Sequence, residues 1–387
     1  MKVLFVSSDR NIFKKDSDIQ SRYLDYGKLF EEIHVIVFSD KKLGNKNVKI
    51  GDNVFVYPTN HIFKLFYLWN IYKIAKKIIL LLGIGNSPLV ISSQDPFEAG
   101  LAAWMLKKIY KIPLQIQIHT DFLSPYFGKG SFINKFRVIL AKFLIPRADG
   151  IRVVSERIKN SLVASACLPV GRANSLVPIT VLPIFIDTEL IKAAPIRVDL
   201  HKKYPQFNFI ILMVSRLTRE KNVGLAIKAM AELVKKHPKL GLVIVGSGPE
   251  LKKLKFLTSK LQLDESIKFE NWTNDPSSYY KTADLFLLTS NYEGYGRTVI
   301  EAMVAGLPVV ISDVGLVGEI VINDKNGVVV PVGDSKAVVD GVSSLIGDRA
   351  KRDRFLENTR KTFKMLIKKP EYLELYKKYT ESCIINH

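Results

Sequence analysis

Cysteine is nearly absent: Cys167 and Cys383 are the only two in 387 residues. They offer neither a disulfide framework nor a metal-ligand spacing, which fits a reducing compartment. Long apolar runs are missing too, and no uninterrupted stretch approaches the ~18–20 residues that span a bilayer. The start, MKVLFVSSDR, holds a four-residue apolar run and reads as a first strand rather than as a signal peptide. Acidic residues are scarce, 37 against 57 Lys and Arg, for a net charge of +20. Both halves of the chain are basic, so no single arm or tail carries the excess. Such a charge calls for a partner of opposite sign. There is no recognisable nucleic-acid motif and no single basic stripe, which disfavours nucleic acid and leaves anionic lipid headgroups. At this length, with 47% hydrophobic and 24% charged residues, two globular domains are expected.

The most informative stretch is Ser290–Pro308, SNYEGYGRTVIEAMVAGLP. It follows an apolar strand candidate, Ala283–Thr289, and precedes a second, Val309–Ser312. Strand, glycine loop, helix and strand is the natural parsing. The loop Glu293-Gly294-Tyr295-Gly296 feeds a helix expected from about Arg297 and Thr298. Its free N–H groups and positive dipole end suit a phosphate. Glu293 and Glu301 can both address the space above that end, where carboxylates accept hydrogen bonds from sugar or ribose hydroxyls. The implied ligand is a nucleotide-sugar. The bland alternative is one solvated Glu and one that complements the dipole.

A second cationic loop, Arg216-Leu217-Thr218-Arg219-Glu220-Lys221-Asn222, lies between the strand Phe209–Ser215 and the helix Val223–Lys236. Arg216 supplies a forked contact and Lys221 a point charge, a pair suited to a diphosphate; a solvated basic loop is the alternative. Leu240–Pro249 is a strand and glycine turn, but Leu251 stands where a dinucleotide fingerprint needs its third glycine. A nicotinamide dehydrogenase is therefore disfavoured. There is no His/Cys cluster with ligand spacing, so neither a metal nor a cofactor is expected.

The run with two glutamates eight apart, Gly-Tyr-Gly between them and Glu-Ala-Met-x-Ala-Gly-x-Pro after, resembles the Glu-x7-Glu signature of retaining GT-B glycosyltransferases. The resemblance covers most of the chain and is strongest from Val181 to Asp334. It implies an α/β fold of two Rossmann-like domains facing across a cleft, residues 1–188 and 189–369. The last helix, 370–387, is expected to cross back to the first domain, presenting Tyr372, Leu373, Leu375 and Tyr376. It also implies roles: Arg216 and Lys221 offset charge on the leaving nucleoside diphosphate, Glu293 binds sugar hydroxyls and Glu301 the ribose. Trp272 and Thr273 would lie beside the base, and His119 near the donor sugar. The family usually has a glycine pair after the first strand, but here that loop runs from Ser8 to Ser17 without glycine. This departure concerns the acceptor side, to which Asp9, Arg10 and Asp121 are assigned.

The remaining chain alternates strands and helices, with Ala148–Glu156 as the expected last strand of the first domain. Val163–Val177 reads as an inserted surface loop, and Lys351–His387 as helical, broken at Pro370. His61–Leu82 is aromatic, aliphatic and lysine-bearing, without an acid. It is either a core helix with lysines snorkelling outward or an interfacial helix on an anionic membrane. The expected activity is retaining hexosyl transfer to a glycan or lipid-linked acceptor, in the cytoplasm at the inner membrane face. The alternatives are a GT-B-like sugar-nucleotide epimerase and a basic binding protein without catalysis.

Overall fold

Runs such as Lys2–Ser7 (KVLFVS) and Phe209–Val214 (FIILMV) bury five consecutive residues, as strands do when helices cover both faces of a sheet. The computed structural model describes all residues except 63–66, 83–86, 130, 166–176, 274, 365 and 386–387. It divides into two units, Met1–Pro183 with Lys368–His387, and Ile184–Ile367.

The first unit holds an eight-stranded sheet. In chain order its strands are β1 (Lys2–Ser7), β2 (Glu32–Val37), β3 (Val48–Ile50), β4 (Val54–Pro58), β5 (Leu89–Ser93), β6 (Leu114–Ile118), β7 (Gly150–Val153) and β8 (Ile179–Val181). Their spatial order is 3-4-2-1-5-6-7-8, parallel throughout except for the β3–β4 pair. The order reverses direction between β1 and β5, so a crevice opens beyond their carboxyl ends.

The second unit repeats the plan with six parallel strands: β9 (Phe209–Val214), β10 (Leu240–Val245), β11 (Ile267–Glu270), β12 (Leu285–Leu288), β13 (Val309–Ser312) and β14 (Val328–Val330). The order 11-10-9-12-13-14 places its reversal between β9 and β12. The helix Val223–Lys236 shows why the sequence folds this way. Val223, Ala226, Ile227, Met230 and Leu233 recur at helical spacing and are all buried, while Lys235 and Lys236 end the helix near its negative dipole end. Each such aliphatic burial contributes about 1.5–3 kcal/mol before entropy is counted.

Both units are therefore Rossmann-like, the GT-B expectation, but details differ. Ile179–Val181, paired with β7, is the last strand of the first sheet, where Ala148–Glu156 had been expected to end it. The two terminal helices are Arg349–Phe363 and Lys369–Ile385, so the helical stretch is interrupted just before Pro370, which sits in the first turn of the last helix, where its missing N–H costs nothing. The inserted loop falls mostly outside the described residues.

The last helix belongs to the first unit, and Tyr372, Tyr376, Tyr379, Thr380 and Cys383 face its sheet. Leu375, expected on that face, is exposed. Tyr376 stacks on Tyr26 at 4.2 Å and accepts from Gln117 Nε2 at 2.9 Å. Arg152, buried on β7, donates to Gln117 Oε1 at 2.8 Å and to the Tyr372 hydroxyl at 3.0 Å. A buried guanidinium is tolerable only with its donors satisfied, so this network fixes the helix against β6 and β7.

Candidate functional site

In the second unit, both loops singled out in the sequence emerge at the reversal of strand order. Arg216 follows β9, and Glu293 follows β12. They are stitched together by many short bonds. Thr289 Oγ1 donates to the Lys221 and Asn222 carbonyls at 3.3 and 3.1 Å. Asn291 N donates to the Glu220 carbonyl at 2.8 Å, and Asn222 Nδ2 to Asn291 Oδ1 at 3.1 Å. Asn222 itself adopts φ 46°, which Asn tolerates, and starts the helix Val223–Lys236.

The consequence is an ion pair. Lys221 Nζ lies 2.5 Å from Glu293 Oε1, which also accepts from Ser290 Oγ at 2.7 Å. The two side chains are 16% and 11% exposed. Arg216 stays exposed, with one guanidinium nitrogen 3.3 Å from Glu220 Oε1. Glu220 is held in turn by the Thr218 hydroxyl at 2.6 Å.

Behind Glu293, the helix Arg297–Val304 begins after Gly296, at φ 99°. Glu301 lies within that helix, buried, and accepts from Arg297 Nε at 2.6 Å and from the Tyr280 hydroxyl at 3.0 Å. It is thus a held carboxylate rather than a bare one. Burial and the Glu301 charge push the Tyr280 hydroxyl well above its ordinary pKa, so it donates at any physiological pH. Tyr295, nominated for donor contact, is buried, and its phenol is likewise raised by burial. What it offers toward a ligand is backbone. Gly294 is buried, Thr298 is half-buried and Arg297 is exposed. Trp272 and Thr273 stand at the end of β11, two strands from β9. Trp272 is exposed, and Thr273 closes a local turn with Asp275.

Two supports were invisible as separate signals. A Cβ at Gly246 would overlap the Ser215 carbonyl oxygen, and Leu217 N donates to the Ser247 carbonyl at 2.8 Å. The Gly-Ser-Gly turn after β10 therefore presses against the backbone of the Arg216 loop. Gly315, at φ 56°, brings its turn so close that a Cβ would lie 2.5 Å from the Tyr295 carbonyl oxygen; Leu316 N donates to that same oxygen at 2.9 Å. Ser290 and Asn291 were also missed, being ordinary polar residues in a loop.

In the first unit, the nominated residues follow strands β1 and β6. Asp9 caps the short turn Arg10–Phe13, accepting from Asn11 N at 3.0 Å, and Arg10 Nε donates to the Phe38 carbonyl at 3.0 Å. Both are occupied locally, which is what the glycine-free loop builds. His119 Nε2 and Asp121 Oδ1 are buried atoms without a hydrogen-bond partner among the described residues, as is Ser93 Oγ at the end of β5. Burial, reinforced by Arg152 and Arg22, holds the His119 imidazole down to about 3. It is neutral at neutral pH and a poor base there, while remaining a donor or acceptor for a hydroxyl. Burial raises the Asp121 carboxyl, and raises Asp95 to about 6. Asp95 is engaged in accepting from the Phe97 and Ala99 amides, at 2.8 and 3.2 Å. Among the described residues no group of three His, Cys, Asp or Glu side chains could hold a metal ion.

Residues 200–362 match the family described as Glycosyl transferases group 1, and residues 30–190 match Glycosyltransferase Family 4. The chain is similar to the capsular polysaccharide biosynthesis glycosyltransferase CapM of Staphylococcus aureus, 26% identical over 347 residues, 85% of this chain and 84% of that one. It is also similar to the alpha-monoglucosyldiacylglycerol synthase of Streptococcus pneumoniae, 27% identical over 232 residues. That match takes in 57% of this chain and 51% of the synthase; against another curated relative the chain spans 39% of its length. Among solved structures, Anabaena HepE in complex with UDP-glucose superposes with a TM-score of 0.75 at 22% identity, covering 100% of both chains. That likeness is one of fold.

Proposed function

We propose that this chain, GT-B in fold, is a group 1 glycosyltransferase that transfers a hexosyl group from a nucleoside-diphosphate sugar to an acceptor hydroxyl with retention at the anomeric carbon. The observation that carries the donor assignment is the Lys221–Glu293 pair at the strand-order reversal of the second unit, beside Arg216 and the amides that open the helix Arg297–Val304. Cations and helix-end amides suit the diphosphate, and the carboxylates suit the hydroxyls of sugar and ribose.

In this reading the acceptor oxygen bonds to the anomeric carbon while the bond from that carbon to the phosphate oxygen breaks. The acceptor proton passes to the departing phosphate on the same face. Negative charge grows on the leaving diphosphate, and Arg216, Lys221 and the loop amides stabilise it, the kind of electrostatic term that usually dominates. No metal is assigned a part. Glu293 orients the sugar, Glu301 the ribose, and Trp272 covers the base. His119, buried and neutral in the first unit, is suited to hydrogen-bonding a hydroxyl rather than to taking a proton. The first unit receives the acceptor, a glycan or lipid-linked alcohol of the cell envelope; the capsular and glycolipid enzymes among the relatives support that class. The site of action is the cytoplasm, at the inner membrane face.

The test is turnover with a panel of nucleoside-diphosphate hexoses and envelope glycolipid acceptors. Proton NMR would follow the anomeric coupling of the product. Retention of the donor's configuration supports the reading, and inversion contradicts it. A sugar-nucleotide epimerase would instead convert the donor with no acceptor present.

A further inference from the structure

The helix Phe132–Leu144 (FINKFRVILAKFL) buries only Ala141 and Leu144 fully. Phe132, Ile133, Phe136, Ile139 and Phe143 are between 41% and 88% exposed. Steps of three and four place Phe132, Phe136, Ile139 and Phe143 along one stripe of the helix. Single exposed apolar residues are ordinary, but five on one short helix form a patch that calls for cover.

Charge indicates what covers it. Between Asp121 and Asp149 there is no acidic residue, and there are five cations. Arg137 is turned toward Glu98 at 2.8 Å. Three of the others border aromatic residues, and Lys142 is exposed on the same helix: Lys135 Nζ lies 5.3 Å from the Phe132 ring centre, Lys129 Nζ 4.8 Å from that of Tyr126, and the Arg147 guanidinium 3.8 Å from that of Phe143. An apolar stripe rimmed by cations is the pattern of a helix lying in a membrane interface. A second copy of this chain fits poorly, because two such faces would bring cations together with no acid to meet them.

This is not the stretch that the sequence brought forward. The helix Tyr67–Leu82 buries Ile71, Ala75, Ile78 and Ile79; it exposes Lys73, Lys76 and Lys77 together with Trp69, Leu80 and Leu81, three apolar residues that are not joined in one continuous stripe. The helix Glu98–Tyr110 packs against both, and its Trp104 meets Phe143 edge-on at 5.3 Å. No helix among the described residues is long and apolar enough to cross a membrane.

We propose that the helix Phe132–Leu144 docks the first unit on a bilayer containing anionic lipid. Phe132, Phe136 and Ile139 enter the boundary between headgroups and acyl chains, and Lys129, Lys135 and Lys142 engage lipid phosphates. The inference stands apart from the donor site, since it concerns the other unit and makes no use of the transfer reaction.

Flotation of the full chain with vesicles tests it, using phosphatidylcholine alone or mixed with phosphatidylglycerol, at low and high salt. The wild type is expected to float with the mixed vesicles, and less so in high salt. Phe132→Ser/Phe136→Ser/Ile139→Ser should reduce the bound fraction about tenfold or more. Lys129→Gln/Lys135→Gln/Lys142→Gln should erase the preference for anionic lipid. Both variants change exposed side chains, so unchanged melting temperatures and unchanged nucleotide binding confirm that they are folded. Wild-type flotation by the serine variant, or no flotation by the wild type, overturns the proposal. So does a wild-type dimer that the serine changes convert to monomer without lipid.

Discussion

Lys221 Nζ and Glu293 Oε1, 72 residues apart in sequence, lie 2.5 Å apart beside the carboxyl ends of β9 and β12. Each satisfies a charge that the other would leave stranded, and the Ser290 hydroxyl shares the same carboxylate oxygen. A diphosphate arriving at this loop would compete with Glu293 for the ammonium and release the carboxylate toward the sugar.

That pairing sets the first prediction. Lys221→Ala and Glu293→Ala should each lower transfer by about 10²–10³-fold, the scale of losing one preorganised charge partner. Neither is silent for stability, because a mostly buried partner is left unpaired at a cost of about 1–3 kcal/mol. The double variant should be less destabilised than the sum of the two singles. Strict additivity in urea melts would contradict the pairing.

Much of this site was legible before any coordinates, because its parts are short and adjacent in sequence. The glycine loop, the Arg216–Lys221 spacing and the start of the helix at Arg297 all obey local rules of turns and caps. The supports at Gly246 and Gly315 were not legible, since what demands glycine there is the backbone of a distant loop. Nor was the exposed face of the helix Phe132–Leu144, because an apolar helical stripe reads the same whether it meets core or solvent. The same ambiguity placed Leu375 on the packed face of the last helix, whereas the tyrosines and Cys383 fill it. The two-sheet plan was easier, as continuous apolar strands alternating with helices admit few topologies.

Gly246→Ala tests the first of those supports. The added methyl meets the Ser215 carbonyl, so the Arg216 loop must move. We expect a loss of about 1–3 kcal/mol in stability, typical of overpacking, together with weaker donor binding. Normal nucleotide affinity in a folded variant would show that the turn does not set that loop.

Tyr280→Phe removes one of the two donors holding Glu301 and leaves the helix in place. The donor KM should rise about threefold to tenfold, the net scale of one typical hydrogen bond, with kcat nearly unchanged because the phosphate contacts are untouched. A fall in kcat at unchanged KM would place Glu301 in the chemical step instead.

His119 gives the pH prediction. Its folded value of about 3 lies below the ordinary histidine value of ~6.5, so between these the unfolded chain binds a proton that the folded chain does not. Stability from this group is therefore full above ~6.5 and is lost as the pH falls toward 3. Asp95, raised to about 6, acts in the opposite sense: its folded form holds a proton through ~4–6, and its contribution falls as the pH rises through that window. His119→Asn should flatten the loss of melting temperature between pH 6.5 and 4, by an amount equivalent to about 2–3 kcal/mol. Parallel curves for variant and wild type would refute the neutral, buried imidazole.

The central claim is that the second unit binds a nucleoside diphosphate through Arg216, Lys221 and the Glu293 loop. The most direct measurement is thermal stabilisation of the wild type and of Arg216→Ala by UDP-, GDP- and ADP-sugars, UDP-glucose first. A ligand bound only to the folded chain raises the melting temperature, by about 2.7 kcal/mol of added stability at a hundred times Kd. The account predicts a clear shift with one nucleotide class in the wild type, lost or much reduced in Arg216→Ala. An equal shift in both proteins would contradict it, because the diphosphate would then be held elsewhere.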